Sequence, residues 1–534
     1  MNAYQLVQPR VTPNVFAEIS DVLRTFTGEQ TAVVDAWLNT RDNLIVESTA
    51  GSGKSTLLRV LATIAPRTPA DKGRMAVFAF NASIADELKE KLPKDLVIST
   101  FHAFGLKLIR QHARREVKVI AFKKRNIVKA YLKGLGHELH TKAHVNGLMT
   151  LVEQFLIHLV QVDEASVVEM CAKNDLKFAP ELDLVAAVQH VSKEALRQYE
   201  EEGLIDYLDM LYIPLKKGYG RGCMKWMLVD EAQDFSRLQH KLVRHLLAPE
   251  GRVVLVGDPA QAIYVFTGAD SEGMNRAAKF FNATVLHLTY TFRCPKSHVE
   301  GYAVKFSEHI RTPEKGLDGN DWKLGEVINL TTQALRAELQ GGDLVLARTN
   351  APIIQLALAL LRMGKDVHLL GLDLKKELGH YFEKAFPQPF TAADIEHRLM
   401  LTYDRLLEER YERGENGKTL ERGAERDADM LASVGAVALR AASDRDGPTS
   451  LGDLQRVLDE LLKGGKDAIN LCTVHKSKGL EARRVAILNP ETLLTPKNDE
   501  EKAVAFVAFS RSRDVLMLVS DDSAPVEDTD AELE

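Results

Sequence analysis

Apolar residues along the chain fall into two rhythms. Short apolar runs at 43–47, 75–80 and 97–100 are separated by segments in which apolar residues recur at helical spacing. Helices are expected over about 14–38, broken by a turn at Thr27-Gly28, then over 54–64, and again up to Leu92. Short runs between helical segments predict buried strands, and their alternation with helices predicts a parallel sheet covered on both faces.

From about 105 to 202 the strand rhythm stops. Leu148, Met149, Leu151, Val152, Phe155, Leu156 and Leu159 keep helical spacing, and Gly and Pro are sparse, so a helical insertion is expected. Strand-like runs return at 226–230, 252–257, 285–288 and 344–347. A second helix-rich stretch covers 372–466, charge-laden over 408–429, with Gly464-Gly465 stopping its last helix. Strands resume at 468–473, 485–488 and 515–519, and 521–534 is acidic with little to bury. The plan is a sheet domain from 1–104 and 203–293 with an insertion at 105–202. A second sheet domain from 294–371 and 467–520 carries an insertion at 372–466 and is followed by an acidic tail.

Composition narrows the class without naming a function. At 534 residues the chain exceeds one ordinary core. It is 45% hydrophobic and 27% charged, as soluble globular proteins are. A net charge of −6 provides no global positive field, although a nucleic-acid groove needs only local positive charge. Cys171, Cys223, Cys294 and Cys472 are scattered, with no metal or disulfide spacing. No run approaches the roughly 18 apolar residues of a membrane span, and no signal peptide is apparent, so a soluble, cytoplasmic protein is expected.

The strongest chemical signal is Thr49-Ala50-Gly51-Ser52-Gly53-Lys54-Ser55-Thr56, set between a strand and a helix. Phosphates need several backbone N–H groups converging at a helix N-terminus, and glycines let the backbone approach closely. In such a loop Lys54 reaches the β- and γ-phosphates of ATP and the Ser55 hydroxyl takes Mg²⁺. Ser48 stands where the simple pattern has its first glycine. Further on, Asp230 and Glu231 end an apolar run: Asp230 suits Mg²⁺, and Glu231 suits activation of the attacking water.

In order along the chain, these motifs resemble the UvrD/Rep/PcrA-type superfamily 1A DNA helicases. Thr27-Gly28-Glu29-Gln30 is similar to the family's adenine-reading segment, with Gln30 on the base edge, and Arg41 is placed like its adenine-packing arginine. Residues 99–104 resemble its DNA-contacting "TFH" segment, and 230–234 its "DExQD". Residues 256–268 resemble "GDxxQxIYxFRG", where a glutamine (here Gln261) senses the γ-phosphate and aromatics stack on bases. Residues 288–295 resemble "NYRS", which implies that Phe292 covers adenine and Arg293 contacts the γ-phosphate. Residues 348–351 resemble "RSNA", 473–481 "TxHxxKGLE" and 507–513 "VxxTRA", making Arg511 a second arginine finger.

The resemblance implies an α/β fold of two RecA-like P-loop lobes, each with a mainly helical insertion. It implies ATP with Mg²⁺, with Glu481 at the nucleotide, and single-stranded DNA and single-strand/duplex junctions as partners. Phe80, Thr100, His102, Tyr264, Phe266 and His475 become the candidate DNA contacts. A basic run, Arg110, Arg114, Arg115, Lys118, Lys123, Lys124, Arg125, Lys129 and Lys133, opposed locally only by Glu116, adds a candidate phosphate-binding face. Thr267 departs from the family's arginine, and Asn81-Ala82-Ser83 fits "TNKA" poorly. The expected function is 3′-to-5′ unwinding in replication, repair or recombination. A partner-dependent translocase that strips proteins from DNA and an ATP-gated loading module are the alternatives.

Overall fold

The computed structural model describes residues 1–79, 81–136, 138–263, 273–316, 319–370, 372–412, 415, 417–443, 447–465 and 467–520. The chain divides into two compact units, Met1–Thr289 and Tyr290–Glu534.

The first unit is built on six strands, β1 (Asn43–Ser48), β2 (Met75–Phe78), β3 (Val97–Ser99), β4 (Met224–Val229), β5 (Leu247–Gly257) and β6 (Ala283–Leu288). They form one parallel sheet in the order β3-β2-β4-β5-β1-β6. Successive side chains of a strand point to opposite faces, and here both faces are buried. Leu44 and Val46 join one core with Val77, Leu228, Val254 and Val256, while Ile45 joins the other with Phe78, Val229, Val253 and Leu255. This is why the strands read as continuous apolar runs rather than alternating ones. Phe101 belongs to the second core, stacked on Phe78 at 4.1 Å and edge-on to Phe235 at 5.1 Å.

The second unit repeats the plan with β7 (Glu326–Thr331), β8 (Leu344–Ala347), β9 (Val367–Leu369), β10 (Ile469–Thr473), β11 (Ala482–Leu488) and β12 (Ser512–Ser520). These six strands pair in parallel, in the order β9-β10-β8-β11-β12-β7. Sequence rhythm did not reveal β7 or β9. The first is an edge strand whose residues are exposed or half-buried, and the second is three residues long.

Between β3 and β4 the chain is almost wholly helical, apart from a two-residue parallel ribbon of Lys118–Val119 with Leu204–Ile205. The helix Lys142–His158 buries Leu148, Leu151, Val152, Phe155 and Leu156 against Ile127, Val128, Val188 and Val191 of its neighbours. It stops where Leu159 turns left-handed. Among the described residues between β9 and β10 lie the α-helices Leu372–Ala385, Ile395–Glu412, Gly417–Ser443 and Leu451–Lys463.

One feature of the first helical region corrects the reading of its basic run. Lys123 and Lys124 are each 2% exposed and unavailable to a nucleic acid. The Lys124 ammonium meets both carboxylate oxygens of Asp206 at 2.7 Å and Asp209 Oδ1 at 2.5 Å. Lys123 donates to Asp209 Oδ2 at 2.7 Å and to the Ala195 carbonyl at 2.6 Å. Burial opposes the charge on Lys124, but Asp209 and Asp206 outweigh it and its pKa stands above the usual lysine value. Burial would likewise raise the pKa of Asp209, yet Lys124 and Lys123 hold it below the usual carboxylate value. The cluster ties the helix Lys123–Leu135 to the helix Asp209–Lys217. Arg110, Arg114, Arg115, Lys118, Lys129 and Lys133 remain exposed.

Candidate nucleotide and DNA sites

The glycine-rich loop leaves the carboxyl end of β1, inside the sheet between β5 and β6, and opens the helix Lys54–Ile64. In an open parallel sheet this edge, where consecutive connections diverge, is where ligands bind. Gly51 and Gly53 adopt left-handed backbone, with φ of 72° and 83°. A side chain at Gly53 would also meet Gln30 Nε2 at 2.8 Å. Among the described residues no side chain caps the N-terminus of this helix. The hydroxyls of Thr49 and Ser52 are buried and have no hydrogen-bond partner among the described residues. Donors left unsatisfied in a buried loop at a helix N-terminus fit a phosphate chain.

Ser48, at the position of the missing glycine, is the last residue of β1, and its hydroxyl donates to the Gly257 carbonyl at 2.9 Å. It therefore braces β1 against β5. Ser48→Gly is expected to lower stability by about 1 kcal/mol through loss of this buried bond, read as a small drop in the denaturant midpoint.

The acids follow at the neighbouring strand ends. Asp230 succeeds β4, is 5% exposed, and accepts the Glu231 amide at 2.9 Å. Glu231 holds φ of 53°, a left-handed conformation costly for a branched-free but bulky side chain and therefore one that the surroundings must impose. Its carboxylate faces Lys54 at 3.5 Å and accepts from Gln233 Nε2 at 2.5 Å. Gln233 Oε1 in turn takes the Asp258 amide at 3.0 Å, and a side chain at Gly257 would collide with that oxygen at 2.4 Å. Asp258 accepts from Gln261 Nε2 at 2.6 Å, and burial pushes its pKa up. Lys54, Glu231, Gln233, Asp258 and Gln261 thus form one connected polar network. Gln233 and Asp258 lay inside motifs recognised in the sequence but carried no assigned role, because their part in it is to hold neighbours.

Gln30 is 5% exposed. Its Oε1 accepts the Thr27 amide at 3.0 Å and its Nε2 donates to the Ser52 carbonyl at 3.1 Å. Arg41 is exposed beyond the helix Gly28–Asn39. Thr100 caps the helix Phe101–His112, accepting the Ala103 amide at 3.2 Å, and His102 is exposed. Phe80, Tyr264 and Phe266 lie outside the described residues, as does Thr267.

In the second unit the candidates separate onto two edges of the sheet. Arg293, Glu481 and Arg511 lie at the amino end, where β11 and β12 begin. Arg293 Nε meets Glu481 Oε2 at 2.5 Å and Nη1 donates to the Ser510 carbonyl at 3.2 Å; Arg513 takes the other Glu481 oxygen at 2.5 Å. Burial would raise the Glu481 pKa, but the two arginines hold it below the usual value. Arg511, 1% exposed, donates to the Val507 and Leu480 carbonyls at 2.8 and 3.2 Å. Phe292 stands edge-on to Trp322 at 6.1 Å, and Trp322 Nε1 donates to the Cys294 carbonyl at 3.0 Å. At the opposite edge His475 follows β10. Burial, then Arg348 and two lysines, push its pKa down to about 4, so the ring is uncharged at neutral pH.

Two RecA-like lobes, the first with a phosphate-type loop at the carboxyl edge of its sheet, are the architecture of this chain. Residues 27–282 match the UvrD/REP helicase N-terminal domain, and 449–523 match the UvrD-like helicase C-terminal domain. The chain belongs to the UvrD-like helicase family. It is 26% identical over 308 residues to the ATP-dependent DNA helicase srs2 of Schizosaccharomyces pombe, covering 51% of this chain and 34% of that protein. It is 25% identical over 541 residues to the F-box DNA helicase protein 1 of the same organism, covering 92% of this chain and 57% of that one. To the ATP-dependent DNA helicase PcrA of Bacillus subtilis it is 25% identical over 280 residues, 47% of this chain and 36% of the relative. The chain spans between a third and three fifths of the length of these relatives. No helix among the described residues is long and apolar enough to cross a membrane.

Proposed function

We propose that the chain is an ATP-dependent DNA helicase that translocates along single-stranded DNA from 3′ to 5′. The observation that carries this reading is the loop between β1 and the helix Lys54–Ile64. Its left-handed glycines and two buried hydroxyls, without a partner among the described residues, stand beside a network that includes the Glu231 and Asp258 carboxylates. Lys54 and the amides of residues 50–56 would hold the phosphates, and Ser55 and Asp230 would hold Mg²⁺. Bound ATP supplies the phosphoanhydride whose hydrolysis drives movement.

The chain's own residues do the rest. Glu231 orients and deprotonates the attacking water, and its contacts with Lys54 and Gln233 hold it ready. Gln261 is aimed by Asp258. Gln30 and Arg41 are assigned to the base, and Phe292, Arg293, Glu481 and Arg511 to the nucleotide. Phosphoryl transfer is mostly positioning and neutralisation of charge, and an arginine in the transition state can contribute about 10³-fold or more. DNA is assigned to Thr100, His102, His475 and the residues Phe80, Tyr264 and Phe266, with the helical segments 105–202 and 372–466 as inserted subdomains. An uncharged His475 would act as a hydrogen-bonding group rather than as a cation.

Strand displacement on short duplexes with either a 3′ or a 5′ single-stranded tail tests the direction. Unwinding of the 3′-tailed substrate alone is the expected result. Preference for the 5′ tail would overturn the polarity, and no unwinding of either, with hydrolysis intact, would favour a partner-dependent translocase.

A further inference from the structure

The turn that opens the helix Gly28–Asn39 touches two remote segments at once. On one side Gln30 donates to the Ser52 carbonyl in the phosphate loop. On the other, Glu29 spends both carboxylate oxygens on a single residue. Its Oε2 accepts the Thr289 amide at 2.7 Å and its Oε1 accepts the Thr289 hydroxyl at 2.6 Å. Thr289 is the last residue of the first unit, and Phe292 and Arg293 follow it within four positions. The residue before it is also held by the loop, since Thr49 donates its amide to the Leu288 carbonyl at 2.9 Å.

The turn is internally stiff. Thr27 and Gln30 form a reciprocal capping box, with the Thr27 hydroxyl accepting the Gln30 amide at 3.1 Å and Gln30 Oε1 accepting the Thr27 amide at 3.0 Å. Glu29 and Gln30 therefore move together. A glutamate in a first helical turn ordinarily does no more than complement the helix dipole from solvent. This one is half-buried and makes two charge-assisted bonds to one point on the chain, which are shorter and stronger than neutral ones.

We propose that Glu29 is a positioning residue that couples the phosphate loop to the point where the chain leaves the first unit. When the loop shifts with its phosphate load, the Thr27–Gln30 turn carries the shift to Thr289, and so to the segment bearing Phe292 and Arg293. The inference rests on the reading of the loop as the nucleotide site.

The test measures steady-state ATP hydrolysis by the full chain, with and without an oligo-dT strand, for Glu29→Ala, Thr289→Val, the double variant and Glu29→Gln. Each single change is expected to lower the DNA-stimulated kcat by about 5- to 20-fold, the size of a typical coupling. Tm should stay as in the unaltered protein, and the loss should fall on kcat more than on KM for ATP. The double variant should be no worse than Glu29→Ala, because Thr289→Val removes only one of the two bonds that Glu29→Ala already removes. Glu29→Gln, which keeps an acceptor oxygen, should recover most of the stimulation. Full stimulation in both single variants would overturn the proposal, as would additive losses. A fall in the rate without DNA that tracks a lowered Tm would also overturn it, since that marks a merely structural contact. Lys54→Ala separates the two readings. If that variant is inactive while Glu29→Ala is fully stimulated, the coupling fails alone; if it keeps its turnover, the nucleotide site fails and the coupling with it.

Discussion

Lys54→Ala is expected to reduce ATP turnover by at least about 100-fold, the scale of losing one preorganised charge at a phosphoryl or oxyanion site. Lys54 begins the helix after the loop, and its side chain is only 13% exposed, 3.5 Å from Glu231. Without the ammonium, Glu231 loses its counter-charge and the phosphates lose theirs. The carboxylate and the phosphates would then repel one another without a cation between them. Phosphate release in the presence of single-stranded DNA is the direct measurement. The fold should survive, because Lys54 joins none of the hydrophobic cores. A variant that melts normally yet keeps wild-type turnover would remove the loop from the mechanism.

The second large effect concerns stability. Lys124→Ala would strand Asp206 and leave Asp209 to Lys123 alone, in an interior where the two acids are 7% and 3% exposed. Breaking a buried pair by removing one partner costs about 3–5 kcal/mol, most of it the uncompensated charge. The first unit should unfold at markedly lower denaturant. The pH dependence follows from Asp209, whose folded pKa lies below the ordinary 3.8. Its contribution is present above that value and is lost as pH falls through the folded value. The unaltered protein should therefore shed this stability only in strong acid, and the variant should show a flatter acid limb. Removing the carboxylates as well, in Lys124→Met with Asp206→Asn and Asp209→Asn, should recover part of the loss. An unchanged midpoint for Lys124→Ala would mean that the cluster contributes nothing net.

That cluster also marks where sequence reading stops. Lys123 and Lys124 look like a solvated basic face because their partners lie 82 to 86 positions away, and only tertiary packing brings the charges together. The contact of Gln30 with Ser52 is hidden for the same reason. The strand–loop–helix at 43–64 was legible because its demands are local: an apolar run, glycines where φ is positive, and a helix start. Both sheets were legible in their central strands, whose two buried faces demand continuous apolar runs. β7 was not, since an edge strand is buried on fewer sides and tolerates the mixed pattern Glu-Val-Ile-Asn-Leu-Thr. Glu231 could be marked as a chemical candidate from its neighbours, but its left-handed backbone could not.

The strand order of the first unit has a consequence for biosynthesis. Leu44 of β1 pairs with Val254 and with Thr284, so the sheet's inner strand waits unpaired on both sides until most of the unit has been made. Non-local parallel pairing is slow to form and leaves apolar edges open meanwhile. Translation at about 5–20 residues per second leaves the nascent β1, rich in Leu, Ile and Val, without a partner for roughly ten seconds or longer. Ribosome-bound chains halted before β5 should therefore be protease-sensitive and chaperone-bound, whereas chains released beyond β6 should close into a resistant unit.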